Sequence, residues 1–415
     1  MMEDFLFFTE LASMPVYDVK GRRLGRVRDA ALVPLVHSAR IDRYLVGGGG
    51  DAWLTVRYDQ IQSISLERGI FLSDEHLTPY HDDEYMLRLG RDLLDQQIID
   101  VTGRKVVRVT DLTLALRREE ERVTLSVVDV DIGIRSILRR LFQGVLPPRW
   151  IRRLQAPIAP NSIRWEFCNV VEPDPQRRLR LNISYQKLEA IHPADLADIV
   201  EELAPAGREA IFETIDSEVA AETLSEVDPK MQASILESLE PEVAADIVEE
   251  MSPDEAADVL SELEEETSED ILEEMDTEPK SDVEELLEFE EDTAGGLMNT
   301  EYVALHDKAS LADAMEALRG NEELLENLNA IFLLDDEGRL SAAIPLARLF
   351  IAPGDARLKD LAAETLLQVT VDEHQDRVLE LFDKYNLLTL PVVDQNGQLA
   401  GVITADDVIS VLRQK

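Results

Sequence analysis

The sequence predicts a multidomain α+β protein. Its expected parts are two small β-barrels (1–85 and 86–187, the second with an insertion), an all-α superhelical array of short helices (188–291), and a paired α/β module (292–415, with halves 292–355 and 356–415). Three observations predict this. The segment Val16–Leu32 recurs without a gap at Ile98–Leu114, prolines return on a 12-residue beat in the middle of the chain, and a strand–turn–strand–helix pattern occurs twice near the end.

In the first duplication, "VYDVKGRRLGRVRDAAL" aligns with "IIDVTGRKVVRVTDLTL", so that Asp18 matches Asp100, Gly21 matches Gly103, Arg22 matches Arg104, Val27 matches Val109 and Asp29 matches Asp111. Each copy reads as strand, glycine turn, strand, with apolar residues alternating afterwards. The second copy carries the insertion "RSILRRLFQGVLPPRWIRRL" before its last strands. This basic stretch reads either as an amphipathic docking helix or as a partly buried connector. "GGGGD" at 47–51 has no following Lys-Ser/Thr and no helix pattern, which favours a β-turn over a phosphate loop.

The beat of the middle region is set by Pro193, Pro205, Pro229, Pro241 and Pro253, with Ser217 filling one place. Proline at the first helical position sacrifices no hydrogen bond, and Asp216, Asp228, Ser252 and Asp276 stand where a capping side chain is wanted. Each beat therefore starts a helix. Ala244, Ile247, Val248 and Met251 form the apolar stripe of one, and Ala256, Val259, Leu260 and Leu263 that of the next. Helices of about 10 residues are marginal alone, so they are expected to stack on their neighbours.

The other face of these helices is acidic, with Glu218 and Glu222, Glu242 and Asp246, and Asp254 and Asp258 each four residues apart. From Glu189 to Asp292 there are 38 carboxylates against three basic residues, in a chain of net charge −44. Such a surface repels nucleic acid and anionic lipid, and its natural partners are cations or basic proteins. Most of these side chains are expected to be solvated; a minority should bind something positive.

No apolar run approaches the roughly 18–20 residues needed to span a bilayer, "AALVPLV" at 30–36 being the longest candidate. The start, "MMEDFLFFTE", lacks the features of a secretory signal. Cys168 is the sole cysteine, so no intrachain disulfide can form, and a reducing cytoplasm is the expected compartment. Cys168 itself reads as a small packed hydrophobe. The histidines, His37, His76, His81, His192, His306 and His374, show no metal-ligand spacing, and there is no nucleophile–base arrangement. The protein is not expected to be an enzyme.

Near the end, "LLDDEGRLSAAIPLARL" at 333–349 matches "VVDQNGQLAGVITADDV" at 392–408, each after an amphipathic helical stretch. This pattern resembles the CBS domain, whose copies pair into one module; the second copy fits best, at Pro391, Gly397, Gly401, Thr404 and Asp407. The "D-x-x-G-x-x-x-G-x-V" core of the first duplication resembles the PRC-barrel, an interaction module, intact in the first copy and with Val107 in place of the second glycine in the other. Taken with "HPADLADIVEELAP" and "DTAGGLMNTEYVAL", residues 188–415 resemble the cytosolic portion of MgtE-type magnesium transporters. The chain stops at "DDVISVLRQK", where that resemblance leads one to expect a connecting helix and a membrane domain.

The resemblance implies a soluble magnesium sensor in which carboxylates of the acidic helices and of the CBS pair hold cations between them. Carried over position by position, it implies Asp254, Asp258, Asp376, Asp406 and Asp407 as metal residues, while His374 and Asn386 stand where acids are expected. It also raises adenine-nucleotide binding, for which Thr404 and Asp407 match ribose-holding positions, but Pro345 and Arg348 break that pattern in the first copy. The implied partners are divalent cations and a protein, such as a separately encoded metal transporter, with the CBS module forming a homodimer. The alternatives are an interaction scaffold with no ion sensing and a CBS regulator that binds ATP or AMP.

Overall fold

The computed structural model describes residues 4–414 apart from 49–52, 75, 82–84, 120–121, 143–147, 156, 173, 175, 179–184, 322, 327, 355 and 364. The chain divides into two compact units, Met1–Val227 and Asp228–Lys415, so the division falls within the run of short helices.

The first copy of the N-terminal duplication contributes β1 (Asp4–Phe7), α1 (Phe8–Leu11), β2 (Pro15–Tyr17), β3 (Arg23–Val33), β4 (His37–Gly47), β5 (Trp53–Arg57), β6 (Ile61–Ser65), β7 (Gly69–Leu72) and β8 (Thr78–Pro79). After β9 (Leu87–Arg88) and a π-type turn (Leu89–Leu93), the second contributes β10 (Gln97–Asp100), β11 (Lys105–Arg108), β12 (Asp111–Glu119), β13 (Arg122–Asp131), β14 (Ser162–Arg164) and β15 (Cys168–Val170). Gly47 and Trp53 face each other across the β4–β5 hairpin, and residues 49–52, with half of the glycine run, lie outside the described residues.

The matched aspartates explain why the motif repeats. Asp18 accepts hydrogen bonds from the N–H groups of Lys20 (2.9 Å) and Arg22 (2.8 Å), closing a turn in which Gly21 has φ +78°. Asp100 closes the corresponding turn through the N–H of Gly103 at 2.9 Å. The second matched pair works across the copies. Asp29, in the first, accepts from Gly90 N–H at 2.8 Å in the turn that leads into the second, and Asp111, in the second, accepts from Thr9 N–H at 3.1 Å in α1 of the first.

Strands are exchanged in the same sense. β1 pairs with β12, with Leu6 opposite Leu114, and β9 pairs with β3, with Leu87 opposite Leu32. The copies, expected as two small barrels, therefore share one 12-stranded sheet, with a separate three-stranded sheet β11-β10-β15. One core runs through both, from Leu6 and Phe8 through Ile41 and Tyr44 to Leu114 and Val130. The insertion forms α2 (Ile134–Phe142) and α3 (Pro148–Gln155), which pack on each other.

The short helices begin every 12 residues without exception. In the first unit they are α4 (Pro193–Glu202), α5 (Pro205–Phe212) and α6 (Ser217–Glu226); in the second, α7 (Pro229–Leu236), α8 (Pro241–Glu249), α9 (Pro253–Ser261), α10 (Glu265–Glu274) and α11 (Thr277–Leu286). The beat thus continues past the last proline on Glu265 and Thr277. Asp216 and Asp228 cap as expected, through Glu218 N–H and Lys230 N–H, both at 3.2 Å. Ser252 and Asp276 make no side-chain cap bond. Both predicted stripes, Ala244 to Met251 and Ala256 to Leu263, are buried. Within each unit, helices pack on their second neighbours, α4 on α6, α8 on α10 and α9 on α11, as in a superhelix.

The second unit closes with two matching sheets. β16 (Ala304–His306) runs parallel to β17 (Ala330–Leu334), which pairs antiparallel with β18 (Leu340–Pro345); α12 (Leu311–Gly320) and α13 (Leu346–Phe350) complete this half. β19 (Val369–Thr370), β20 (Thr389–Val393) and β21 (Leu399–Thr404) repeat the arrangement with α14 (Gln375–Tyr385) and α15 (Ala405–Gln414). The hairpin turns carry Gly338 at φ +77° and Gly397 at φ +82°, as the matched glycines predict.

Candidate cation site

The segment between α11 and β16 positions the site. Ala294 N–H bonds Glu373 O at 2.7 Å, Gly295 N–H bonds Val371 O at 2.9 Å, and Asn299 exchanges backbone bonds with Val402 at 2.7 and 2.9 Å. The approach is close enough that a Cβ on Gly401 would lie 2.8 Å from Asn299 O, and one on Gly296 2.4 Å from Glu290 O. This explains glycine at both places. The Asn299 side chain then reaches α9, donating from Nδ2 to Asp254 Oδ1 at 2.7 Å.

Two residues beyond Val402, the strand turns into α15. Asp407 Oδ2 accepts from the Thr404 N–H (2.7 Å) and hydroxyl (3.0 Å), and the same hydroxyl lies 2.6 Å from Asp406 Oδ1. Asn299 therefore links the strand that leads to Asp407 with the helix that carries Asp254 and, one turn later, Asp258.

The charges that act most strongly on these carboxylates are negative. Burial pushes the Asp254 carboxyl well above the usual range, and the charges of Asp407 and Glu255 push it further. Asp258 rises to about 7, through burial and then Glu291, Asp407, Glu255 and Glu262. Asp258 keeps an exposed surface, across which these acidic neighbours repel it. Asp407 rises to about 6 through burial, opposed by its bonds from Thr404 and reinforced by Asp406 and Glu255.

Such a crowd suits a hard cation that keeps much of its water, as magnesium does. It is not a preformed cage: among the described residues no three His, Cys, Asp or Glu side chains converge as a ligand set. Asp254 and Asp258 both feel the charge of Asp407, and Asp406 lies beside Thr404. Asp376 stands elsewhere, at the start of α14, with His374 3.6 Å from it and 3.4 Å from Asp292. Asn386 has a structural role as the left-handed cap of α14, at φ +51°. Sequence reasoning missed Asn299, Glu255 and Glu291. The "TAGGLMNT" junction was the signal for the first, but nothing in its residue types shows that an amide would meet a carboxylate 45 positions earlier.

In the first half, the position matching Asp407 holds Arg348, whose Nη1 donates to Leu361 O at 3.1 Å and also to Ala362 O. A guanidinium tied to main chain cannot accept from ribose hydroxyls.

Comparison with known proteins bears on the same region. The model of the MgtE intracellular N domain matches residues 191–292, and that of the CBS domain matches residues 358–414. The crystal structure of the cytosolic domain of the Mg2+ channel MgtE in complex with ATP is 33% identical, with a TM-score of 0.52, and covers 56% of this chain and 94% of that one. The chain belongs to the MgtE cytosolic-domain family. The soluble part of a magnesium transporter also aligns, at 25% identity and a TM-score of 0.52, over 58% of this chain and 93% of that one.

Among whole MgtE transporters, that of Thermus thermophilus is 35% identical over 127 residues, and that of Enterococcus faecalis 31% over 128 residues. In both cases this is 31% of the present chain and 28% of the relative, so the chain spans less than a third of the MgtE relatives' length. Among the described residues, no helix is long and apolar enough to cross a membrane.

Proposed function

We propose that the protein is a cytoplasmic regulator that senses magnesium, or another divalent cation, where α9 meets the start of α15. The reading rests on the Asn299 link between the helix of Asp254 and the strand that leads to Asp407, and mutual repulsion that raises the carboxyls of Asp254, Asp258 and Asp407 supports it. Without a cation these side chains must take up protons or move apart. A divalent ion held through Asp254, Asp258 and Asp407 would neutralise the crowd and favour the compact arrangement, by as much as its affinity differs between the two states. The magnesium-transporter relatives support the choice of ion. The output would be a change in what the protein offers to a partner, such as a separately encoded metal transporter.

Magnesium titration by calorimetry at constant ionic strength tests this, on the wild type and on the Asp254→Ala, Asp258→Ala, Asp407→Ala variant. Saturable binding that the variant loses is the expected result. Weak, salt-like heats from both proteins would leave an acidic scaffold instead. A nucleotide role has support only from the Thr404–Asp407 segment and from the ATP bound to one relative; ATP titration of a Thr404→Ala variant separates that role from cation binding.

A further inference from the structure

The acidic charge does not extend to the N-terminal region. Residues 1–187 hold 28 Lys and Arg against 26 Asp and Glu, so the whole imbalance lies in the rest of the chain. Within that region, residues 132–165 contain seven arginines and no acidic residue. This is the insertion that forms α2 and α3.

The first of these helices sits inside out. α2 turns its polar side inward: Ser136 is 1% exposed and its hydroxyl lies 2.6 Å from that of Thr110, while Arg139, 3% exposed, pairs with Asp111 and Asp131, both at 2.9 Å. The Arg139 guanidinium also lies over the Phe7 ring, 3.1 Å from its centroid. The opposite side of α2 carries Ile134 (69% exposed), Ile137 (52%) and Leu141 (67%), three residues on one helical stripe. On the adjoining α3, Trp150 (63%) and Leu154 (55%) are exposed one turn apart while Ile151 and Gln155 are buried. A helix anchored by a buried arginine and facing water with isoleucine and leucine is held that way by its anchor, and its apolar side lacks a cover within the described structure.

We propose that this helical pair is a docking surface for an anionic membrane. Charge complementarity selects the occupant. Apolar side chains that include a tryptophan, on short helices rich in arginine and free of acids, have the composition of helices that lie in the lipid headgroup region. Arg153 is exposed beside Leu154 and available to headgroups, whereas Arg140 is held by Asp95 at 2.6 and 2.8 Å. The inference is independent of the cation reading.

The test uses the full chain in about 0.15 M salt with chelator, so that no divalent ion bridges carboxylates to lipid. Flotation is compared on phosphatidylglycerol-rich vesicles and on phosphatidylcholine vesicles. The protein is expected to float with the anionic vesicles, to float far less with the zwitterionic ones, and to be released by high salt. An Ile137→Ser, Leu141→Ser variant, whose changes lie on the exposed side, should lose about tenfold or more in partitioning with an unchanged thermal melt. Arg153→Glu should weaken anionic binding alone. Wild type that stays unbound overturns the proposal, as does equal binding by the double variant. If unbound wild type forms a dimer that the double variant cannot form, a second copy covers the face and the membrane reading is wrong.

Discussion

Asn299 donates its side-chain amide to Asp254 at 2.7 Å while its backbone pairs with Val402, so one residue joins the acidic helix to the strand that delivers Asp407. Replacing it with aspartate would set a carboxylate against a carboxylate. Asn299→Asp should destabilise the chelator-treated protein by about 1–3 kcal/mol, read by urea denaturation. Divalent cation should recover part of that loss, and it should recover little in Asn299→Ala.

Acidity should substitute for cation. Carboxyls held at about 7 (Asp258) and about 6 (Asp407) bind protons in the folded protein that the unfolded chain, with ordinary carboxylates, does not. Stability in chelator should therefore rise as pH falls from about 8 toward about 5. Asp111 and Asp131 are also raised by burial and act in the same direction. The part of the slope due to the cation site is the part that disappears in Asp258→Asn. Thermal melts of both proteins across that range check it, and a flat wild-type profile would contradict the crowded-carboxylate account.

Gly401 admits no side chain, because a Cβ there would stand 2.8 Å from both Asn299 O and Met298 Sδ. Gly401→Ala should force the Met298–Asn299 segment away from β21 and weaken cation binding without touching a carboxylate. Calorimetry on this variant, beside a check of its folding by circular dichroism, distinguishes a positioned site from a merely acidic surface.

Removing Arg139 would leave Asp111 and Asp131 buried without their cation. Arg139→Met should cost about 3–5 kcal/mol in denaturant unfolding. Adding Asp111→Asn and Asp131→Asn should restore part of it, since the penalty arises from the unpaired charges.

The helical array was legible because its period, its prolines and its buried stripe all repeat together. The C-terminal module was legible because two hairpins share a glycine turn. The proposed cation residues Asp254, Asp258 and Asp407 were reachable through resemblance, but Asn299 was not, since its bond to Asp254 joins residues far apart in sequence. The same limit applies at the N-terminus. Asp29 and Asp111 were seen to match, yet alignment of two copies cannot tell whether each serves itself or the other. Nor could the arginine count of the insertion show that Arg139 faces inward.

The reciprocal bonds of Asp29 to Gly90 and of Asp111 to Thr9, with the matching exchange of β9 and β1, have a consequence for how such a region can arise and be handled. A cut between residues 85 and 86 would not release two modules; it would strip an edge strand from each half and bare two hydrogen-bonding edges. Once duplicated and interlocked in this way, the halves are inherited, expressed and transplanted only as a pair.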